Sequence, residues 1–269
     1  MILLYVAVVA AYLAAAWLEW RLLVPATGGS SSIAMLARWL PLLALAGHAI
    51  LIARAVFTGS GLDLSLANAL SAVAGLTALF AWLGAWTRAL TGLTLVALPV
   101  AALGALLPLL FANPHRLSIT DEPWAALHIA IALVAYALLI IAALQALLLM
   151  SFERRLHRGH GVPHSGVAPP LLTLEAFLFR LVGVGYALLT LTLVSGILFS
   201  EQLFGTPITL SQKTVFSVLG WLVFGGLLFG RHRYGWRGRV ALRWVLAGSG
   251  LLLLAYVGSK FVLEVILHR

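Results

Sequence analysis

The chain has 269 residues, of which 62% are hydrophobic and only 9% are charged, and its mean hydropathy is +1.07. Soluble domains carry about 25% charged residues, so this composition excludes a soluble globular protein and indicates an integral membrane protein. The absence of cysteine excludes disulfides and thiolate metal sites, and the net charge of +9 comes from basic residues at the edges of apolar segments, so nucleic acid is not an expected partner.

Eight apolar segments are long enough to cross a bilayer, which takes about 20 mainly apolar residues in a helix. Because lipid cannot satisfy backbone polar groups, these continuous Ala- and Leu-rich runs predict an all-α polytopic membrane bundle of about eight helices. In chain order the predicted spans are residues 2–18, 38–57, 65–86, 90–111, 125–150, 181–200, 214–230 and 241–259. The first lacks a basic stretch before its apolar run, so we interpret it as a retained span and not as a signal peptide.

The second span, "LPLLALAGHAILIARAVF", has an imidazole near its middle. At 100° per residue His48 shares a helix face with Pro41, Ala44 and Ala55. Ionisable residues inside a span usually face the bundle interior and mark functional sites. At a depth of about 13 Å an uncharged imidazole is expected, and neutral imidazole is a ligand for haem iron.

The third span begins with a polar stripe in the stretch "TGSGLDLSLANALSAVAGL". Ser65, Asn68 and Ser71 are spaced three residues apart, which places them on one face of the predicted helix. Asp63 or Ser65 is expected to cap the start of that helix. We predict that Ser65 and Asn68 contribute to a cofactor site near the outer end of the span.

The fifth span follows "NPHRLSITDEPW" and is predicted to start at Pro123, because proline suits the first helical turn. His128 lies one turn inside, at a depth of about 6 Å, and shares a face with Ala132, Ala135 and Ala142. We expect both intramembrane histidines to point into one hollow that opens to the outside. From the residues alone a hydrogen bond across a helix interface, a ligand role and a proton relay all remain open for each. The difference in depth argues against one haem held between both rings.

The distribution of basic residues predicts the orientation of the spans. One set of loops holds twelve of the 17 basic residues and the other set holds five, so the richer side is expected to be cytoplasmic, with both termini extracytoplasmic. The longest basic loop, 151–180, divides a single membrane domain, 1–269, into a five-span part, 1–150, and a three-span part, 181–269.

Four stretches in order, "LHIAIALVAYALLIIAALQALLLMSFERRL", "LLTLEAFLFRLVGVGYALLTLTLVSG", "GWRGRVALRW" and "LAYVGSKFVLEVIL", resemble the bacterial YpjD/HemX-type branch of the CcsA/ResC cytochrome c assembly family. The resemblance implies an inner-membrane protein that handles haem outside the cytoplasm, with His128 and His48 as candidate iron ligands. The tryptophan-rich "WWD" segment of the family is absent, and the corresponding stretch is only "SEQLFGTPITLSQK". The resemblance therefore implies a haem-binding accessory protein and not a synthase.

Three functions follow as hypotheses. The first is a haem-binding or haem-handling protein of c-type cytochrome assembly, with His48, His128, Ser65 and Asn68 at the cofactor site. The second is a transporter of a small solute or of protons. The third is a non-enzymatic partner subunit that docks another membrane protein or regulates tetrapyrrole supply. Catalysis by the chain itself is not expected, since no paired carboxylates, thiol or nucleophilic triad stands out.

Overall fold

The computed structural model describes residues 2–23, 31–57, 62–63, 65–86, 92–111, 116–117, 123–157, 171–198 and 212–258. Within these ranges lie eight α-helices: α1 (Ile2–Leu23), α2 (Ser31–Val56), α3 (Leu66–Ala85), α4 (Thr94–Leu110), α5 (Pro123–His157), α6 (Leu171–Leu198), α7 (Gln212–Tyr234) and α8 (Gly238–Leu253). Seven of them are long and apolar enough to cross a membrane, and α4 is a shorter apolar helix of 17 residues. The prediction of an all-α membrane bundle is confirmed.

The ends of several helices differ from the predicted spans. The start of α2, Ser31, lies seven residues before the predicted boundary, and α5 begins at Pro123 as predicted but continues to His157. Because α6 begins at Leu171, both ends of the predicted loop 151–180 are helical. Helices can continue beyond the apolar core, so hydropathy alone places helix starts too late and helix ends too early.

The helices pack in two groups of four. In the first group α1 packs against α2 and α4, and α3 packs against the same two helices. In the second group α5 packs against α6 and α8, and α7 packs against the same two helices. Contacts between α3 and α5 join the two groups. Helix α5 therefore belongs to the second group and also touches the first.

The consecutive helices run in opposite directions, which gives the bundle two distinct ends. We call the end where α2, α4, α6 and α8 begin the arginine-rich end, because it includes the loops with the twelve basic residues. Four contacts link helix termini there: Glu19 with Thr94, Trp82 with Arg38, Glu175 with Arg231, and Glu153 with Arg239. At the opposite end a two-residue antiparallel pairing joins Leu62–Asp63 to Arg116–Leu117.

A tight turn connects α7 to α8 at the arginine-rich end. Gly235 and Gly238 have φ values of 67° and 54°, a left-handed conformation that glycine adopts without a Cβ penalty. Trp236, between them, packs against Trp244 with their ring centroids 5.0 Å apart. The turn thus places an aromatic pair beside the arginines of this end.

Candidate functional site

His48 is the centre of a buried hydrogen-bonded chain that crosses three helices. Its Nδ1 atom lies 3.0 Å from the Tyr12 hydroxyl on α1, and its Nε2 atom lies 3.0 Å from Ser71 Oγ on α3. The three residues are between 0% and 1% exposed. We call them the Tyr12–His48–Ser71 chain. The inward orientation predicted from Pro41, Ala44 and Ala55 agrees with this burial, because Pro41 and Ala44 are buried as well.

Both ring nitrogens of His48 are used within this chain. A neutral imidazole has one donor and one acceptor nitrogen, and each hydroxyl can either donate or accept. The two hydroxyls therefore satisfy the ring completely, in either of its tautomers. The ring also packs on Gly75, where an added Cβ would lie 3.3 Å from His48 Nδ1 and Cε1. A metal at either nitrogen would have to replace Tyr12 or Ser71.

Ser65 and Asn68 tie the start of α3 to the end of α2. Ser65 Oγ accepts a hydrogen bond from the backbone N–H of Asn68 and caps α3, as predicted. The side-chain amide of Asn68 donates to the carbonyl oxygens of Ala55 and Asp63, at 3.3 and 3.0 Å. The backbone N–H of Ser65 in turn donates to Asp63 Oδ1. In the structure these two residues organise a helix junction, and their cofactor role stays a prediction.

His128 lies near the end of the bundle that is opposite the arginine-rich end, half-buried between α5 and α6. Its Nδ1 atom is 2.7 Å from Ser195 Oγ, and the Ser195 hydroxyl donates to the carbonyl oxygen of Thr192 at 3.2 Å. When the Ser195 hydroxyl donates to Thr192, Ser195 Oγ accepts from Nδ1–H, so the proton is on Nδ1 and Nε2 carries the lone pair. A hydroxyl that donates to Nδ1 instead gives the other tautomer. Among the described residues this ring makes no further hydrogen bond.

The ring of His128 packs beside Gly196 of α6. A Cβ added at Gly196 would lie 3.5 Å from His128 Cε1, an ordinary van der Waals contact. Lys213, at the start of α7, is close enough to interact electrostatically with the imidazole. One turn before His128, Trp124 is 62% exposed, as expected for an anchor at the membrane interface.

The two histidines have separate surroundings. His48 faces α1 and α3 within the first group of helices, whereas His128 faces α6 within the second group. No described residue makes a hydrogen bond to both rings. These contacts place the two rings against different helices, and the hollow shared by both histidines stays a prediction.

Two threonines of α6 that could line a transport pathway make local hydrogen bonds instead. The hydroxyls of Thr190 and Thr192 donate to backbone carbonyl oxygens one turn earlier, and Thr190 also accepts from Trp221 Nε1 at 2.9 Å. In the part of the chain that the structure describes, every buried side-chain N or O atom has a hydrogen-bond partner. A cavity between α5 and α8 measures about 10 Å³, enough for one water molecule. Transport stays a hypothesis that flux into proteoliposomes would test.

Two partners in these sites were not found from the sequence. Tyr12 is one of two tyrosines, with Tyr5, in an otherwise apolar first span, which is a weak signal for a buried partner. Ser195 ends a polar series with Thr190 and Thr192 in α6, but its depth relative to His128 depends on how α5 and α6 pack. Neither pairing follows from residue spacing within one helix.

The comparisons with known proteins agree with this architecture. Residues 36–267 match the family model described as cytochrome C assembly protein. Inner membrane protein YpjD of Escherichia coli strain K12 is 35% identical over 173 residues, which cover 63% of this chain and 65% of the relative. An uncharacterized 28.8 kDa protein of Azospirillum brasilense is 35% identical over 198 residues, covering 72% and 73%. Cytochrome c biogenesis protein CcsA of Thermosynechococcus vestitus is 24% identical over 174 residues, covering 52% and 54%. No solved structure is significantly similar.

Fold and site together define a polytopic α-helical protein of the bacterial inner membrane, with a half-buried histidine near one end of the bundle. The matched family segment spans most of the chain, and it runs through both histidines and all but the first of the eight helices. The chain belongs to the cytochrome c assembly protein family. The alignment with YpjD covers 65% of that relative's length, so its full set of activities does not transfer to this chain by similarity alone.

Proposed function

We propose that the chain binds haem in the membrane as an accessory protein of c-type cytochrome assembly, with His128 as the residue that would hold the iron. The observation that carries this proposal is the hydrogen bond between His128 Nδ1 and Ser195 Oγ at 2.7 Å. Histidines that bind metals usually donate their other ring N–H to a fixed acceptor, which sets the tautomer and the ring orientation. Family membership supplies the chemical context, since the relative from Thermosynechococcus vestitus is named a cytochrome c biogenesis protein.

The residues around His128 fit a haem better than those around His48. His128 Nε2 makes no hydrogen bond among the described residues, and the ring has Gly196 beside it and Lys213 as a nearby cation for an anionic substituent. When bound, haem supplies an iron centre and the porphyrin that is passed on or attached. The role of the protein itself would be to hold the His128 imidazole in one tautomer and to keep the haem at the membrane surface.

His48 enters the proposal as the second ligand candidate, together with Ser65 and Asn68. Iron at His48 requires that the ring gives up Tyr12 or Ser71, each of which bonds a ring nitrogen at 3.0 Å. A ring that is already satisfied gains less from a metal than one with an unused lone pair. The geometry therefore favours His128 as the ligand and His48 as a structural residue.

An accessory role is proposed because the segment between α6 and α7 lacks tryptophan. Residues 199–211, "FSEQLFGTPITLS", connect these helices, and their only aromatic residues are Phe199 and Phe204. These residues fit a protein that delivers haem to a membrane partner or stores haem for it. We propose that this partner is another assembly protein.

The absorption spectrum of the purified protein tests the proposal. Protein from haem-supplied cells is expected to show a Soret band that His128→Ala removes and Ser195→Ala shifts or weakens, since the alanine leaves Nδ1 without its acceptor. The matched control is His232→Ala, which deletes an exposed histidine of α7 at the arginine-rich end. His48→Ala distinguishes the two candidate iron ligands, because it removes the imidazole of His48 and leaves that of His128. Absence of haem in the wild type, or an unchanged spectrum in His128→Ala, would contradict the proposal.

A further inference from the structure

Three tryptophans and one arginine form a cluster at the arginine-rich end, between the start of α2 and the end of α3. The centroids of Trp39, Trp82 and Trp86 are 5.8 to 6.5 Å apart. The guanidinium carbon of Arg38 lies 3.8 Å from the centroid of the Trp86 ring. Trp82 Nε1 donates to the carbonyl oxygen of Arg38 at 2.9 Å, which fixes the two helices to each other. We call these four residues the Trp–Arg cluster.

The charge of Arg38 is not neutralised by a carboxylate at this end. Only three of the eight acidic residues belong to it, and the structure describes all three: Glu19 bonds Thr94, Glu153 pairs with Arg239, and Glu175 pairs with Arg231. The other five belong to segments that join helices at the opposite end or that follow α8. The sequences that connect helices on this side, 24–30, 87–93 and 158–170, contain no acidic residue.

Arg38 differs in this respect from a second arginine that also contacts an aromatic ring. Arg231 lies 4.3 Å from the Phe179 centroid, and its charge is paired with Glu175 at 3.1 Å. Arg38 is exposed, and within the described ranges its guanidinium has the Trp86 ring as its contact and no hydrogen-bond acceptor. A guanidinium that stacks by its face keeps its N–H edges available for an oxyanion.

We propose that the Trp–Arg cluster is a binding site for an anionic phospholipid, with Arg38 on the lipid phosphate. Tryptophan is suited to the depth of the headgroups, because its indole is apolar with one polar N–H. The exposed apolar surface of α2 continues from the cluster towards the middle of the bilayer through Leu42 and Leu43, which are 40% and 69% exposed. This continuity favours a lipid with acyl chains over a soluble phosphate. Anionic headgroups are also favoured by the surplus of arginines at this end.

Native mass spectrometry of the purified protein tests this site with an equimolar mixture of phosphatidylglycerol and phosphatidylcholine. The wild type is expected to retain phosphatidylglycerol preferentially. Arg38→Gln is expected to reduce that preference about tenfold, the effect of losing one charge-assisted contact to phosphate. Arg233→Gln is the matched control, since it removes the same charge from an exposed arginine of α7 at the same end and is expected to change the preference less than about twofold.

Further variants keep the test decisive if Arg38→Gln does not fold. Arg38→Lys retains the charge without the planar face, and Trp86→Leu retains an apolar side chain without the indole, so each is expected to lose part of the preference. Equal retention of both lipids by the wild type, or equal losses in Arg38→Gln and Arg233→Gln, would overturn the proposal. Displacement of the lipid by inorganic phosphate would also overturn it in favour of a free-phosphate site. Burial of the cluster in a dimer would identify a second copy as its occupant and exclude the lipid.

Discussion

The Tyr12–His48–Ser71 chain gives single residues a measurable role in joining three helices. Each hydroxyl meets one imidazole nitrogen at 3.0 Å, and the chain is closed to solvent. In a membrane protein such bonds contribute modestly, because the separated helices can find other partners. Removing the ring has a larger effect, since it leaves both a cavity and two hydroxyls without their partner.

Tyr12→Phe is expected to lower the free energy of unfolding by about 1 kcal/mol, and His48→Ala by about 3 kcal/mol. The matched control is Tyr5→Phe, which removes a hydroxyl two turns away on the same helix from a residue that is 7% exposed. Reversible unfolding in mixed micelles measures all three. If Tyr5→Phe costs as much as Tyr12→Phe, the hydrogen bond to His48 adds nothing particular to stability.

Side-chain orientation was predictable for His48, but its partners were not. The small residues on its face, such as Ala44, indicate which side turns inward, and the burial of Ala44 agrees with that. The partners depend on which helices become neighbours and at what depth. Spacing within α2 contains no information on Tyr12 of α1, and spacing within α5 contains none on Ser195 of α6.

At the scale of elements, α3 packs tightly against α4 at Gly104. An added Cβ there would overlap the Cβ of Ala74, a side chain that has no rotamer by which to move away. Small residues allow membrane helices to approach closely, so that dispersion contacts replace the hydrophobic effect as the source of stability. The two helices must separate to accept even a methyl group.

Gly104→Ala is therefore expected to reduce the free energy of unfolding by about 2 kcal/mol through overpacking. The matched control is Gly250→Ala in α8, where an added Cβ meets nothing within 4 Å. That variant is expected to be neutral or stabilising by up to about 1 kcal/mol, because alanine is the better helix former. Thermal unfolding in detergent compares the two, and equal effects would show that helix propensity and not packing decides.

Arg231 connects the start of α6 to the end of α7 by more contacts than an ordinary surface ion pair. It bonds Glu175 at 3.1 Å and the carbonyl oxygen of Trp236 at 3.2 Å, with its guanidinium carbon 4.3 Å from the Phe179 centroid. Arg239, by contrast, is 56% exposed and bonds Glu153 at 3.4 Å.

We expect Arg231→Gln to destabilise the protein by about 1 kcal/mol and Arg239→Gln by less than about 0.5 kcal/mol. The effect of Arg231→Gln should also depend less on salt, because its partner is only 14% exposed. Unfolding at low and high salt measures both. A larger loss for Arg239→Gln would contradict the assignment of α6–α7 docking to Arg231.

The existence of the helices was predictable because each span is long and apolar, whereas their pairing was not. Helices that are apolar on most of their surface give no clear signal for the side that faces the bundle. The contact between α3 and α5, which joins the two groups of four, therefore emerges only from the three-dimensional packing. Predicted boundaries failed where helices such as α5 extend past the apolar core, to His157.

For the whole molecule, the arginine-rich end sets the expected orientation in the membrane. Twelve of the 17 basic residues belong to it, and the positive-inside rule then places it in the cytoplasm. The same expected orientation would place His128 near the extracytoplasmic surface, where the proposed haem site is expected to lie. The Trp–Arg cluster would face the inner leaflet, which is rich in anionic lipid.

Reporter fusions test this orientation without depending on either ligand. Green fluorescent protein is expected to fluoresce when inserted within 158–170, and alkaline phosphatase is expected to be active when fused after residue 120 or residue 269. Replacing Arg231, Arg233 and Arg237 together should weaken the bias, whereas replacing Arg54 should not, because only the former contribute to the richer side. An inverted pattern would place His128 in the cytoplasm and remove the basis for haem delivery outside it. The lipid site would survive inversion with only its leaflet changed, so the orientation decides the proposed function and leaves the chemistry of Arg38 intact.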